Sequence, residues 1–411
     1  MPESVKNVLK AVRERIDGYH IRCFEGMTKP LFLVSTCYPG VWLEHANDAC
    51  AYAKLEPSQL SLARNTVELF LDRQTPEGQF PCYVWDHARL PDRPIELLTG
   101  YCQIQECLSF ATVCLDVCNM TGDRDLLVRC YGAIRAWDGW QRKYRMTSGR
   151  GLVEMFCGFD TGHDNSGRLL GMKYPDNYKN FDYTAQDFLP DGDVTPILAV
   201  DMNCNFYGTQ KKLAEMARQL GKEEEAAEWE EKAKEVKKNL FLHCFDEDDV
   251  FFYDCDKCGR KRRVRSSTIL HLFLEHVLDP QEDAELIEKI LRLHVLNPEE
   301  FWTPYPFPSV AYNDPTAKNH TPSNSWGYFS QGNIALRATR WMDDYGLSEE
   351  LDTLCERWIE AWTRAFPDMK LGQELDPITG EPSSSSEYYS PTIIFFLYAV
   401  RRLESKGKLK P

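Results

Sequence analysis

Apolar residues recur at three- and four-residue steps along most of the chain, a spacing that predicts helices, and these helices fall into pairs. In PSQLSLARNTVELFLDRQ, Leu60, Ala63, Val67 and Phe70 share one face, and the Gly-containing PEGQFP stops the run. A second pair is predicted over 100–119 and 125–143, split by the turn TGDRD. NFYGTQKKLAEMARQL closes at Gly221, a C-cap position, before KEEEAAEWEEKAKEVKKNLF. There Glu228 with Lys232, and Glu230 with Lys234, mark a solvated outer face. SSTILHLFLEHVL with QEDAELIEKILRLHVL, and SWGYFSQGNIALRATRWMDDY with SEELDTLCERWIEAWTRAF, continue the pattern. A last helix around TIIFFLYAVRRLE is expected to close the ring beside an N-terminal partner. About twelve helices in six hairpins predict an all-α, closed double ring forming one domain over 1–411. The segment VFFYDCDKCGRKRRVR predicts a small β-hairpin, and long loops gather at one end.

Composition narrows the class. The chain has 411 residues, 43% of them hydrophobic and 12% aromatic, which supports a large packed core. A formal net charge of -15 leaves no global positive field for nucleic acid or an anionic membrane. The N-terminal stretch MPESVKNVLKAVRERIDGYH carries no signal-peptide core, and no apolar run has membrane-spanning length, so a cytoplasmic location is expected. The 15 cysteines, an odd number scattered through apolar runs, read as buried thiols. Cys255-x-x-Cys258 is a single pair inside the predicted hairpin, and no metal site is expected there. The basic run over 260–265 reads as a solvated hairpin, with the holding of an anionic substrate group as the alternative.

Five loop regions combine aromatic rings with carboxylates, amides and histidines: YPGVWLEHAND, FPCYVWDHARLPDRP, GFDTGHDNSGR, FWTPYPFPSVAYNDPTAKNHTPSNSW and GQELDPITGEPSSSSEYYSP. Aromatic faces pack against the C–H surface of a sugar while polar groups take its hydroxyls, so a carbohydrate fits this composition. Core packing is the alternative for each aromatic taken alone.

The order of these motifs resembles glycoside hydrolase family 63 and its short single-domain relatives of the mannosylglycerate hydrolase type. Phe159-Asp160-Thr161-Gly162-His163-Asp164-Asn165-Ser166-Gly167-Arg168 is similar to the family's acid loop, Trp-Glu-(Ser/Thr)-Gly-x-Asp-Asn-Ser-Pro-Arg. VWLEHANDACAYAKLEPSQLSLARNTVELFLDRQTPEGQFP, AVDMNCNFYGTQKKLAEMARQLG and NSWGYFSQGNIALRATRWMDDYG resemble further family segments in the same order. The resemblance implies an (α/α)6 barrel, in agreement with the helix count.

It also implies roles. Asp164 takes the place of the general acid, which must hold a proton at working pH and therefore needs an apolar or anionic setting; Asp160 is placed to supply such a field. An inverting glycosidase needs a second, ionised carboxylate to activate water roughly 6.5 to 9.5 Å away. The family's late loop reads Glu-x-Tyr-(Asn/Asp)-Pro-x-Thr-Gly-Glu, and here it is Gln373-Glu374-Leu375-Asp376-Pro377-Ile378-Thr379-Gly380-Glu381. Strict register puts Gln373 at the catalytic position; Glu374, one residue later, is the chosen base, and Glu387, just before the final helix, is its competitor. The family's Trp-Arg-Gly-Pro becomes Trp326-Gly327-Tyr328-Phe329, so sugar contacts differ. Glu44, His45, Gln103, Gln105, Asp160, Asp201, Asn203 and Gln331 are the hydroxyl-binding candidates, with Trp42, Tyr305 and Trp326 as stacking surfaces. The resulting expectation is an inverting hydrolase of a small α-linked glucoside or mannoside, without cofactor or metal. A phosphorylase on the same barrel and a non-catalytic sugar binder remain as alternatives.

Overall fold

Helices that are buried on most sides alternate along the chain with helices that bury a single stripe, and this alternation builds two concentric layers. The computed structural model describes residues 1–156, 158, 160–163, 166–169, 196–318, 326–383 and 386–409. Its helices are α1 (Glu3–Arg15), α2 (Ala46–Leu55), α3 (Leu60–Leu71), α4 (Phe110–Thr121), α5 (Arg124–Tyr144), α6 (Val200–Gln219), α7 (Glu223–Cys244), α8 (His271–Leu274), α9 (Ala284–Ile290), α10 (Gly332–Ala338), α11 (Ser348–Ala365) and α12 (Ser390–Ser405).

The pair α6 and α7 shows the rule. In α6, 15 of 20 residues are buried, including polar Asp201, Asn203, Asn205, Thr209 and Gln210. In α7 the buried stripe is Ala226, Trp229, Ala233, Val236, Leu240 and Cys244, a three- and four-residue repeat. Even-numbered helices line the inside: α2 packs on α4, α4 on α6, α6 on α8 and α10 on α12. Closure comes from α12 packing on α2 and α1 packing on α11, so the last helix meets the first inner one as anticipated. The architecture is the all-α (α/α)6 barrel. Between the layers lie fully buried Trp137, Trp140, Trp341, Trp358 and Trp362, each contributing about 2–3 kcal/mol of apolar burial.

Several helices are shorter than their periodicity predicts, for reasons of hydrogen bonding. The helix expected from residue 100 begins only at Phe110, where the Glu106 carboxylate accepts from Phe110 N (2.6 Å) and Glu275 accepts from Ser109 N (2.8 Å). The run SSTILHLFLEHVL becomes a 3₁₀ turn, Ser267–Leu270, followed by α8, and ends at His276, whose φ is +52°. After α9 the chain continues as one π turn, Leu291–Val295. Ahead of α10, residues 330 and 331 are drawn into strand pairing instead of helix.

The strands are all short: β1 (Ile21–Arg22) with β2 (Leu31–Phe32); β3 (Gly40–Trp42), β4 (Tyr83–Trp85) and β5 (Thr99–Gly100) as one antiparallel sheet; β6 (Glu154–Met155) with β7 (Ile197–Leu198); β8 (Phe245–Asp246) with β9 (Phe251–Phe252); and β10 (Ser330–Gln331) with β11 (Glu374–Leu375). The predicted hairpin is displaced. Phe251 and Phe252 pair backwards with Asp246 and Phe245, and Cys255 bridges both Lys261 and Leu198. The fourteen cysteines among the described residues are free thiols, with Cys255 buried and Cys258 exposed.

The surface charges differ from the one-helix reading. Glu230 turns to Lys211 and Arg218 of α6, and Lys234 pairs with Glu231. In the basic run, Arg260, Lys261, Arg263 and Arg265 each meet a carboxylate, from Asp256, Asp246, Asp249 or Glu300. Those four charges are answered inside the fold. No helix among the described residues is long and apolar enough to cross a membrane.

Candidate active site

Strand β3 leads through one 3₁₀ turn into α2, β7 leads into α6 and β10 leads into α10. The polar loops therefore converge at the N-terminal ends of the inner helices, where unpaired N–H groups and the helix dipoles favour acidic and hydroxyl groups. Three patches meet there.

The first lies before α2. Trp42 is buried, edge-on to Tyr38 (ring centroids 5.1 Å apart) and tilted against Tyr83 and Trp85. The Glu44 carboxylate accepts from Gln105 Nε2 (3.2 Å) and lies 3.2 Å from His45 Nδ1. His45 Nε2 is 2.8 Å from the Tyr389 hydroxyl, and Gln103 Nε2 donates to Gln105 Oε1. Burial disfavours the charged form of His45, but Glu44 and Asp48 outweigh it and hold the imidazole above its ordinary pKa. The structure thus joins Glu44, His45, Gln103 and Gln105 in one polar cluster beside Trp42.

The second patch is the acid loop. Gly162 has φ +70°, and a Cβ there would overlap the Glu44 carboxylate, so glycine lets the loop cross directly over the first patch. The Cys107 thiol lies within reach of both Glu44 Oε2 (3.2 Å) and the Thr161 carbonyl (2.9 Å). Asp164 itself lies outside the described residues. Three expectations about its neighbours need correction. Asp160 is fully buried and accepts from Arg145 Nη1 (2.6 Å), Arg145 Nη2 (3.3 Å), Ile104 N (3.0 Å) and Phe156 N (2.9 Å). Those four donors use its lone pairs, which makes it a brace and not a sugar contact. Asp201 takes the Arg168 guanidinium on both oxygens, at 3.2 and 2.7 Å, and Arg168 also donates to Asp254 (2.9 Å). Asn203 bonds Val153 N and the carbonyls of Val153 and Ala199. Burial raises the Asp201 pKa against the pull of Arg168.

The third patch is the β10–β11 pair, which sets Gln331 opposite Glu374. Glu374 is fully buried; its carboxylate accepts from Gln331 Nε2 (3.0 Å) and Ser383 Oγ (2.8 Å). Adjacent Gln373, on the other face of the strand, accepts from the Tyr38 hydroxyl at 3.4 Å and so connects this patch to the first. Glu387 is exposed. Tyr305 is also a correction: its ring is covered by Gly380, and its hydroxyl meets Glu360 and Arg364 of α11, so it packs the loop instead of offering a stacking face. Trp326 stacks on His163 (4.2 Å, 21° between planes), which occupies one of its faces.

Among the described residues, His163, Asp201 and His271 place potential metal-ligand atoms within 4.8 Å of one another. Arg168 is bound to Asp201, and Arg337 Nη1 is 3.3 Å from His271 Nε2. Two guanidiniums thus stand where a divalent cation would need negative charge, and burial together with them pushes both histidines well below their ordinary pKa.

Sequence reading missed Tyr38, Cys107, Arg337 and Tyr389. Cys107 and Arg337 sit in runs that look helical, and only the late start of α4 and the inward face of α10 bring them to the mouth. Tyr38 and Tyr389 belonged to quoted aromatic loops without being singled out. Arg168 stood in the acid-loop motif, and its signal was present.

The comparisons agree with the fold. The mannosylglycerate hydrolase from Thermus thermophilus, in family GH63, superimposes with a TM-score of 0.71 in its complex with glucose, at 18% identity over 96% of this chain and 100% of that one. Its complex with Tris and D-glycerate gives a TM-score of 0.72 at 17% identity, over 97% and 100% of the two chains. The neutral trehalase of Saccharomyces cerevisiae gives 0.68 at 15% identity, over 97% of this chain and 80% of that one. A search of curated proteins finds no match. Residues 42–390 match the family described as mannosylglycerate hydrolase MGH1-like glycoside hydrolase domain, a span that contains the three patches apart from Tyr38. The chain belongs to that family and is a glycoside hydrolase.

Proposed function

We propose that the protein hydrolyses a small α-linked glucoside or mannoside with inversion, Asp164 protonating the leaving oxygen and Glu374 activating water. The observation that carries this reading is the setting of Glu374. Gln331 Nε2 donates to one of its oxygens and Ser383 Oγ to the other, which fixes the orientation of the buried carboxylate, as a general base requires. Exposed Glu387 lacks that positioning. Glu44, His45, Gln103 and Gln105 fit the recognition of sugar hydroxyls, and Trp42 with Tyr38 fits the sugar's apolar face. A cytoplasmic site of action and a small carbohydrate substrate, with neither nucleic acid nor membrane as a partner, belong to the same proposal.

The test is a panel of α-glucosides and α-mannosides followed by NMR at early times. Release of the β-anomer supports inversion, and release of the α-anomer overturns it. Addition of phosphate distinguishes a phosphorylase, which would yield a sugar 1-phosphate. Binding without turnover across the panel would leave a sugar-binding protein.

A further inference from the structure

Inner helices α8 and α10 are the shortest of their layer, and the gap between them is closed in part by the loop segment carrying His163. A cavity of about 10 Å³ lies there, bordered by His163, Ser267, His271 and Arg337 and by apolar Leu270, Leu274, Ile334 and Trp341. That volume admits one particle of about water size. Among the described residues, three buried polar atoms on its lining have no hydrogen-bond partner: His163 Nε2, Ser267 Oγ and Arg337 Nη2.

Arg337 makes this site unusual. Its Nε donates to the Asn333 carbonyl (3.1 Å) and its Nη1 to the Cys107 carbonyl (2.6 Å), both uncharged acceptors. The Asp48 carboxylate and the Cys107 thiol sense its charge only through space. No carboxylate among the described residues forms an ion pair with it, whereas neighbouring Arg168 has two, Asp201 and Asp254. A guanidinium only 4% exposed calls for a compensating charge. Beside a guanidinium and a hydroxyl, both of which can donate, the matching particle is a small anion.

We propose that a monatomic anion of chloride type binds in this cavity, held by Arg337 Nη2 and Ser267 Oγ, and by His163 in its Nε2–H tautomer. The size of the cavity excludes sulfate and phosphate. Two groups on consecutive inner segments and one on the acid loop would share the ion, so its binding ties the loop to α8 and α10. The inference is independent of the reading of Asp164 and Glu374, and it concerns stability first.

Chloride is titrated against the full-length protein in a gluconate background of constant ionic strength, with the melting temperature as readout. A ligand that binds only the native state raises the melting temperature once its concentration exceeds its dissociation constant, and the rise then grows with the logarithm of concentration. Chloride and bromide are expected to do so, the dissociation constant fitted to the rise being the midpoint, and sulfate and gluconate are not. Ser267→Ala removes one donor and should weaken the chloride midpoint about tenfold; Arg337→Gln should abolish the response. Crystals soaked in bromide should show an anomalous peak between the three atoms. Should Arg337→Gln fail to fold, Ser267→Ala and the bromide peak decide alone. No peak at that place, equal effects of chloride and gluconate, or an unchanged midpoint in Ser267→Ala overturns the proposal and leaves a water as the occupant.

Discussion

The acid-loop side of the mouth and the β10–β11 side both present buried carboxylates, held in opposite ways. On the first side Asp160 is matched to Arg145, and Asp201 and Asp254 to Arg168, with every pair almost fully buried. On the second, Glu374 receives an amide and a hydroxyl. An ion pair fixes geometry and lowers reactivity, because the opposite charge stabilises the carboxylate; an amide and a hydroxyl orient a carboxylate by hydrogen bonds alone. The difference separates the acidic residues that guanidiniums brace at the mouth from Glu374, the base we propose. Counting carboxylates in a motif does not separate the two groups.

The comparison can be broken most severely at the proposed chemistry. Asp164→Asn should lower turnover of any active substrate by about 10²–10⁴-fold with the melting temperature unchanged; wild-type rates would remove Asp164 from the mechanism. Glu374→Gln should cause a loss of about the same order, while Glu387→Gln leaves the rate as it was. If Gln373→Glu raises activity and Glu374→Gln does not reduce it, the strict register of the motif is the correct one. On the braced side the effect should be on folding: Arg168→Met leaves Asp201 and Asp254 buried without a partner and is expected to cost about 3–5 kcal/mol, read by denaturant titration. Gln331→Ala should be milder, reducing turnover through a misoriented Glu374 and changing KM little.

The smallest expected effect concerns pH. Burial pushes the Glu275 carboxyl up to about 7 from its model-compound value of 4.5. Below pH 4.5 the group is protonated in both folded and unfolded chains and costs nothing. Between 4.5 and 7 only the folded chain keeps the proton, so the stability linked to Glu275 falls as pH rises, and above 7 the penalty is complete. Glu275→Gln should therefore melt higher than wild type at pH 8 and equally at pH 4. Equal melting at both values would show that burial of this carboxyl carries no charge penalty.

Much of the architecture was legible in the residues. Repeats such as Leu60, Ala63, Val67 and Phe70 announce a buried stripe whatever the stripe packs against, because helical geometry alone brings positions three and four apart together. Glycines at 162 and 221 likewise announce left-handed turns, and both have positive φ. The clustering of aromatics and polar groups in loops pointed to the mouth for the same local reason.

Helix ends and residue roles were decided by contacts distant in sequence. Glu275 accepts from Ser109 across 166 positions, and α4 starts late as a result; Arg145 claims Asp160, and Arg168 claims Asp201. Gly380 covers Tyr305 and takes it out of the pocket. The chain on its own determined a closed ring of paired helices with sugar-suited loops, because periodicity and turn chemistry are local properties. Only the tertiary structure decided which carboxylates meet a guanidinium and which meet an amide, because that depends on which loops the closed ring brings within hydrogen-bonding distance.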